Sequence, residues 1–189
     1  METFSSLTTG FYLNCNARHL SPNTIRDYTV TLQKFIRFIG EEATLADITT
    51  TTIQQFLTAF PNLSNKTILN YHIGLSAFWT FLIDFGYTET HLVQQVKRPK
   101  PEKREIIPYT QAEFNAFLAV AAPHHGGHSL ETNRLLEYRN RAILFLLLDT
   151  GIRASELCNA KIKDVNRTEG EILIFGKGNK ERLLKFCPR

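Results

Sequence analysis

The most constraining stretch of this 189-residue chain is a wholly apolar run, Ala142–Leu148, that ends at Asp149-Thr150-Gly151. It belongs to a helical pattern running from Asn133 to Asp149. Glycine at 151 breaks that helix, because a residue without Cβ turns sharply at little steric cost. Arg153 follows at once, and Arg153–Asn159 restarts as a short helix with Ser155 and Glu156 in its first turn. The run is about two helical turns, well short of the roughly 20 residues of a bilayer span. It is expected to be the central buried helix of its domain, a rigid platform with an arginine at its end.

A second stretch carries the matching chemistry. Glu171–Phe175 is strand-like, Arg182–Phe186 is a second short run, and Gly176-Lys177-Gly178-Asn179 lies between them as a hairpin loop. Lys177 stands 24 residues after Arg153. A guanidinium offers forked donors that match two oxygens of one phosphate, and it stays protonated. An ammonium near a leaving alkoxide can serve as a general acid. Lys180 and Arg182 add positive field. A nucleotide-binding P-loop is excluded, because the Gly-Lys-Gly turn lacks that spacing and leads into a strand.

Charge is uneven along the chain. Residues 1–96 hold 5 Lys and Arg against 7 Asp and Glu, a net −2, whereas residues 97–189 hold 17 against 11, a net +6. A basic half suits a polyanionic partner. Hydrophobic content of 43% argues for a folded chain over a disordered one. The start of the chain shows no basic segment with an apolar core of the secretory kind. Cys15, Cys158 and Cys187 are scattered and odd in number, which fits reduced thiols in a cytosol. His124, His125 and His128 cluster in a loop without acidic or cysteine ligands at a metal-like spacing, so no metal site is expected.

The first 90 or so residues read as four helices with short loops. Phe4–Ala17 carries apolar residues near helical spacing. Ser21 caps a second helix with Pro22 at its first position, and Gly40 ends it. A threonine from the run Thr49–Thr52 caps a short helix, Ile53–Phe60, which Pro61 terminates, and Ser64 caps a fourth helix that Gly86 closes. Polar residues gather at two helix starts: Asn23, Thr24 and Arg26 at one, and Asn65, Lys66, Thr67 and Asn70 at the other. Free N–H groups and the positive dipole end suit phosphate there. Capping alone accounts for Ser21 and Ser64. Lys97–Arg104, KRPKPEKR, is an extended cationic linker, since two prolines exclude a helix or a central strand. Lys97, Arg98 and Lys100 are its candidate backbone contacts. Thr110 with Glu113 three residues on is a capping-box pattern that opens a helix through Ala121.

The segments TGIRASEL at 150–157, KIKDVN at 161–166 and ILIFGKGNKERLLKF at 172–186 resemble the tyrosine recombinases, the phage-integrase and Xer-type site-specific DNA recombinases. Ile152 replaces the family's usual Leu, and Ala160 stands where Leu is usual. Upstream, Ser21-Pro22-Asn23-Thr24 with Tyr28, the Leu45–Thr49 segment and the threonine-bearing helix start after Ser64 resemble the family's SAM-like core-binding domain. The resemblance covers essentially the whole chain. It implies a mainly α fold: a four-helix SAM-like domain over 1–96, a linker over 97–108, and the N-terminal part of an α+β catalytic domain with a β-hairpin over 109–189.

The resemblance also implies roles. Arg153 would grip the scissile phosphate, Lys177 would protonate the leaving 5′ oxygen, and Glu156 would support the arginine turn. Thr24, Arg26, Lys66, Thr67, Lys97, Arg98, Lys100, Lys180 and Arg182 would contact duplex DNA. The family's two domains clamp DNA without a metal or nucleotide cofactor, and its protomers form tetramers on paired sites. Such a protein is expected in a bacterial cytoplasm, with the nucleoid. The family also needs a His-x-x-Arg segment, a further His or Trp and a nucleophilic tyrosine after the hairpin. No histidine follows His128 here and no tyrosine follows Tyr138. The expectation is therefore a portion of a longer recombinase, or a shortened member, that binds DNA, is monomeric in solution and does not cleave alone. A DNA-binding decoy or regulator is the alternative, and a helical interaction module without DNA is a third reading.

Overall fold

The computed structural model describes residues 2–102, 105–121, 129–176 and 180–187. The chain forms two compact units, Met1–Glu105 and Ile106–Arg189.

The first unit is built from four helices: α1 (Phe4–Ala17), α2 (Pro22–Ile39), α3 (Thr50–Thr58) and α4 (Asn65–Asp84). Each begins at a hydroxyl cap, Thr3, Ser21, Thr49 and Ser64, whose side chain accepts an N–H of the first turn. Helix α3 starts three residues before the sequence pattern places it, because Thr49 is the cap and Thr52 returns a hydroxyl to the Thr49 N–H at 3.2 Å. It ends at Thr58, ahead of Pro61. Gly40 and Gly86 take positive φ after α2 and α4, as chain reversals there require. Two 3-10 turns, Leu45–Asp47 and Leu92–Gln95, complete the unit.

Aromatic rings fill its core. Phe4, Phe35, Phe56, Phe78 and Trp79 are almost wholly buried. Their contacts are largely edge-to-face, with Phe4 and Phe78 at 4.9 Å and Phe35 and Phe56 at 5.0 Å between centroids. Leu32, Ile53, Leu75, Leu82 and Val93 fill the gaps. Burying one such side chain contributes about 1.5–3 kcal/mol, so this unit holds most of the hydrophobic stabilisation in the described chain.

The second unit has helices α5 (Gln111–Val120), α6 (Leu130–Thr150) and α7 (Ala154–Asn159), then strands β1 (Val165–Asn166), β2 (Glu171–Phe175) and β3 (Glu181–Lys185). The sheet is antiparallel in the order β1-β2-β3, with Ile172 opposite Leu184 and Ile174 opposite Arg182. Alternation along β2 turns Ile172 and Ile174 inward, where they pack with Ile152, Leu146 and Leu147. The Thr110–Glu113 capping box forms as the sequence implies.

One expectation fails. Helix α6 is not a buried helix: none of its residues is fully buried, and Leu148 is 54% exposed. Its apolar run covers the whole helix circumference, but the described unit meets only part of it. Leu146 and Leu147 reach the small core and Phe145 meets Phe114 of α5 edge-on at 5.8 Å, while Leu135, Tyr138 and Leu148 stay open to solvent. The helix also begins at Leu130, capped by Ser129, three residues before the apolar pattern starts. The histidine loop and the centre of the hairpin turn lie outside the described residues.

Candidate functional site

The arginine turn is assembled from local bonds. Gly151 takes φ +60° and its N–H donates to the Leu147 carbonyl at 3.0 Å, closing α6. The Thr150 hydroxyl donates to the Leu146 carbonyl at 2.6 Å and accepts the Ile152 N–H at 3.2 Å. Ile152 is buried and fastens the turn to the sheet. Arg153 is then extended and becomes the N-cap of α7.

Glu156, at the third position of α7, folds back onto Arg153. Its Oε2 accepts the Arg153 backbone N–H at 2.9 Å and its Oε1 accepts Arg153 Nη1 at 2.7 Å. Oε2 also accepts Arg182 Nη2 of β3 at 2.7 Å, 26 residues away in sequence. The carboxylate side chain is 4% exposed, against 68% for Arg153 and 42% for Arg182. Hydrogen bonding by the Arg153 N–H, against an opposing desolvation, and then by the two guanidiniums, lowers the Glu156 carboxyl from 4.5 to about 2. One carboxylate between two guanidiniums leaves a net positive charge. Arg153 spends only its backbone N–H and Nη1, so Nε and Nη2 hold no partner among the described residues.

The base of the hairpin turn lies against the same carboxylate. The Gly176 N–H donates to the Lys180 carbonyl at 2.8 Å, and a Cβ built on Gly176 would lie 3.4 Å from Glu156 Oε1. The structure therefore brings together Arg153, Glu156, Arg182 and the foot of the turn that carries Lys177 in sequence. Lys177 itself lies outside the described residues. Lys180 is exposed.

The remaining candidate residues lie in the first unit, at two helix starts and in the segment after Val96. Thr24 and Thr67 are drawn into caps: Ser21 Oγ accepts the Thr24 N–H at 3.2 Å, and Ser64 Oγ accepts the Thr67 N–H at 3.3 Å. Arg26 and Lys66 are exposed and make no ion pair among the described residues. Lys97, Arg98 and Lys100 are also exposed. The segment they occupy returns to the start of α4, where Pro101 and Glu102 line one shallow recess with Ser64, Asn65 and Lys66.

What anchors that segment was not singled out in the sequence. His72 of α4 is buried, and its Nε2 lies 3.1 Å from the Val96 carbonyl. Val93 and Val96 sink into the core, and the Thr50 hydroxyl donates to Gln95 Oε1 at 3.1 Å. The available signal was a histidine inside the apolar stripe Ile68, Tyr71, Leu75. Lys34 is likewise held over the rings of Phe60 and Tyr71 at 5.3 and 5.5 Å.

A capped helical unit is followed by a helix-and-sheet unit in which two arginines share one buried carboxylate. Residues 7–89 match the phage integrase N-terminal SAM-like domain, and residues 112–187 match the phage integrase family. Tyrosine recombinase XerC of Pelobacter propionicus is 28% identical over 177 residues, covering 91% of this chain and 56% of that protein. Tyrosine recombinase XerC of Listeria monocytogenes serotype 4b is 31% identical over 173 residues, covering 89% and 55%. In fold, a lambda integrase tetramer bound to a Holliday junction matches 98% of this chain and 51% of that chain, with a TM-score of 0.77 at 20% identity. The chain belongs to the phage integrase family of tyrosine recombinases. It spans about half the length of the curated relatives it matches. No described helix is long and apolar enough to cross a membrane.

Proposed function

We propose that these residues are the DNA-binding portion of a tyrosine-type site-specific recombinase, and that Arg153 is its phosphate ligand. The observation that carries this reading is the mounting of Arg153: fixed at its backbone and at Nη1 by Glu156, exposed, and with Nε and Nη2 unspent among the described residues. A fork of this kind suits a phosphodiester, whose two free oxygens accept paired donors. As negative charge builds on a five-coordinate phosphorus, a preorganised guanidinium stabilises it without reorganising. Lys177 is the proton donor to the leaving 5′ oxygen in this scheme, and Glu156 holds Arg153 in place.

The attacking tyrosine of a recombinase forms a covalent phosphotyrosine. None of the six tyrosines here follows Arg153, so that step is not supplied by these residues. Their part is to bind and polarise the duplex. Arg26, Lys66, Lys97, Arg98, Lys100 and Lys180 supply phosphate contacts, and Thr24 and Thr67 contact the backbone beside their caps. The partner is double-stranded DNA, with further recombinase protomers on it, by likeness to a lambda integrase that forms a DNA-bound tetramer. A bacterial cytoplasmic protein acting at the nucleoid fits this role.

Mobility shift with a mixed-sequence duplex tests the reading. The 189-residue chain is expected to retard the duplex at low salt, and denaturing detergent is expected to release it fully. No retardation would contradict DNA binding, and a detergent-resistant adduct would contradict the assignment of the covalent step elsewhere.

A further inference from the structure

Among the described residues Glu156 has three donors on its two oxygens, and the three are not equivalent. Among the described residues Oε1 holds only the exposed Arg153 guanidinium, while Oε2 holds the Arg153 backbone N–H and Arg182. When a phosphate engages Arg153 through Nε and Nη2, it takes up part of the positive charge that faces Oε1. A buried carboxylate with no cation beside it is costly. Arg182 comes from another element and is the second cation on the carboxylate, so it keeps the negative charge compensated in that state. It also ties β3 to the start of α7, and so fixes the foot of the hairpin turn against the arginine.

The geometry points to Arg182 as a positioning residue: it holds Glu156 charged and in place so that Arg153 is free to engage a phosphate. This rests on the reading of Arg153 as a phosphate ligand, and it removes Arg182 from the set of direct DNA contacts. Arg182 is the less exposed of the two guanidiniums, 42% against 68%, as a supporting group should be.

Two readouts on the full 189-residue chain test it. The first is the Glu156 carboxyl titration, followed by carbon NMR in the unsubstituted chain and in Arg182→Gln and Arg182→Lys. Arg182→Gln is expected to move the Glu156 titration up toward 4.5 and to shift the Arg153 Nε signal. Arg182→Lys, which keeps the charge, is expected to recover most of both. The second is the salt dependence of binding to a mixed-sequence duplex. Removing a direct phosphate contact lowers the slope of log K against log salt by about 0.9. Arg153→Gln is expected to do so, whereas Arg182→Gln is expected to weaken binding several-fold with its slope unchanged. An unmoved Glu156 titration in Arg182→Gln, or a slope loss equal to that of Arg153→Gln, would overturn the proposal. If the unsubstituted chain bound no duplex, the DNA reading would fall, and the titration would still decide the role of Arg182.

Discussion

Gly74 of α4 and Thr31 of α2 stand so close that a Cβ on the glycine would lie 2.9 Å from the threonine hydroxyl. Thr31 is 2% exposed and its hydroxyl donates to the Asp27 carbonyl at 2.9 Å, so it has little room to yield. Alanine ordinarily improves a helix interior by about 1 kcal/mol over glycine. Here Gly74→Ala is expected to destabilise the first unit by about 1–3 kcal/mol through overpacking. Urea unfolding measures this, and pairing it with Thr31→Ala should recover part of the loss. A stabilised Gly74→Ala chain would show that the two helices separate freely.

The His72–Val96 contact predicts a local effect on the cationic segment. His72→Ala deprives a buried carbonyl of its partner, a loss of about 1–3 kcal/mol where no water replaces it. Because the contact lies 24 residues across the fold, it holds the root of Lys97, Arg98 and Lys100 in place. Hydrogen exchange at Val96 and through residues 97–102 is expected to quicken in His72→Ala more than at the centre of α4. Equal protection in both chains would mean that Val93 and Val96 anchor the segment by packing alone.

Acid sensitivity of the chain should trace chiefly to Glu156. Its carboxyl titrates near 4.5 when unfolded and at about 2 when folded, so the unfolded chain takes up the proton first as pH falls. The stabilisation is complete above about 4.5 and is lost as pH falls through about 2. Thermal melts across this window are expected to drop for the unsubstituted chain and to flatten for Glu156→Gln. The capping carboxylates Asp47 and Glu113, lowered chiefly by their bonds to Thr44 and Thr110, act in the same direction but sit exposed and screened. A melt in Glu156→Gln that falls as steeply as in the unsubstituted chain would assign the acid response to those groups.

What the sequence made legible was mostly local. Ser21, Ser64 and the Thr110–Glu113 pair cap their helices within three residues, so spacing alone exposes them. The strand Glu171–Phe175 has the length and β-branched content of a core strand, and it forms where the pattern places it. Strand β1 has two residues, too few for any periodicity, and exists because Val165 and Asn166 meet Ile172 and Glu171. The open side of α6 was illegible for a different reason: an apolar run states that a face prefers burial, and only the neighbours decide whether it is covered. The Glu156–Arg182 pair spans 26 residues and depends on hairpin register, which no local rule specifies. Arg182 therefore read as one more surface cation.

The exposed cations of the first unit carry a prediction about specificity. Phosphate contacts position a protein without reading bases. Lys66→Ala and Lys97→Ala are each expected to weaken binding by a similar factor on unrelated duplexes, measured by fluorescence anisotropy. A loss confined to one sequence would assign these lysines to base contacts.

Phosphate-driven binding has a direct signature in the salt dependence of duplex affinity. Log K of the 189-residue chain is expected to fall linearly with log salt, by about 0.9 for each phosphate neutralised. A smaller slope in the Lys97→Ala, Arg98→Ala and Lys100→Ala combination would locate part of that charge on the linker. Binding that ignored salt, or no binding at low salt, would mean that this chain does not meet DNA through its phosphates.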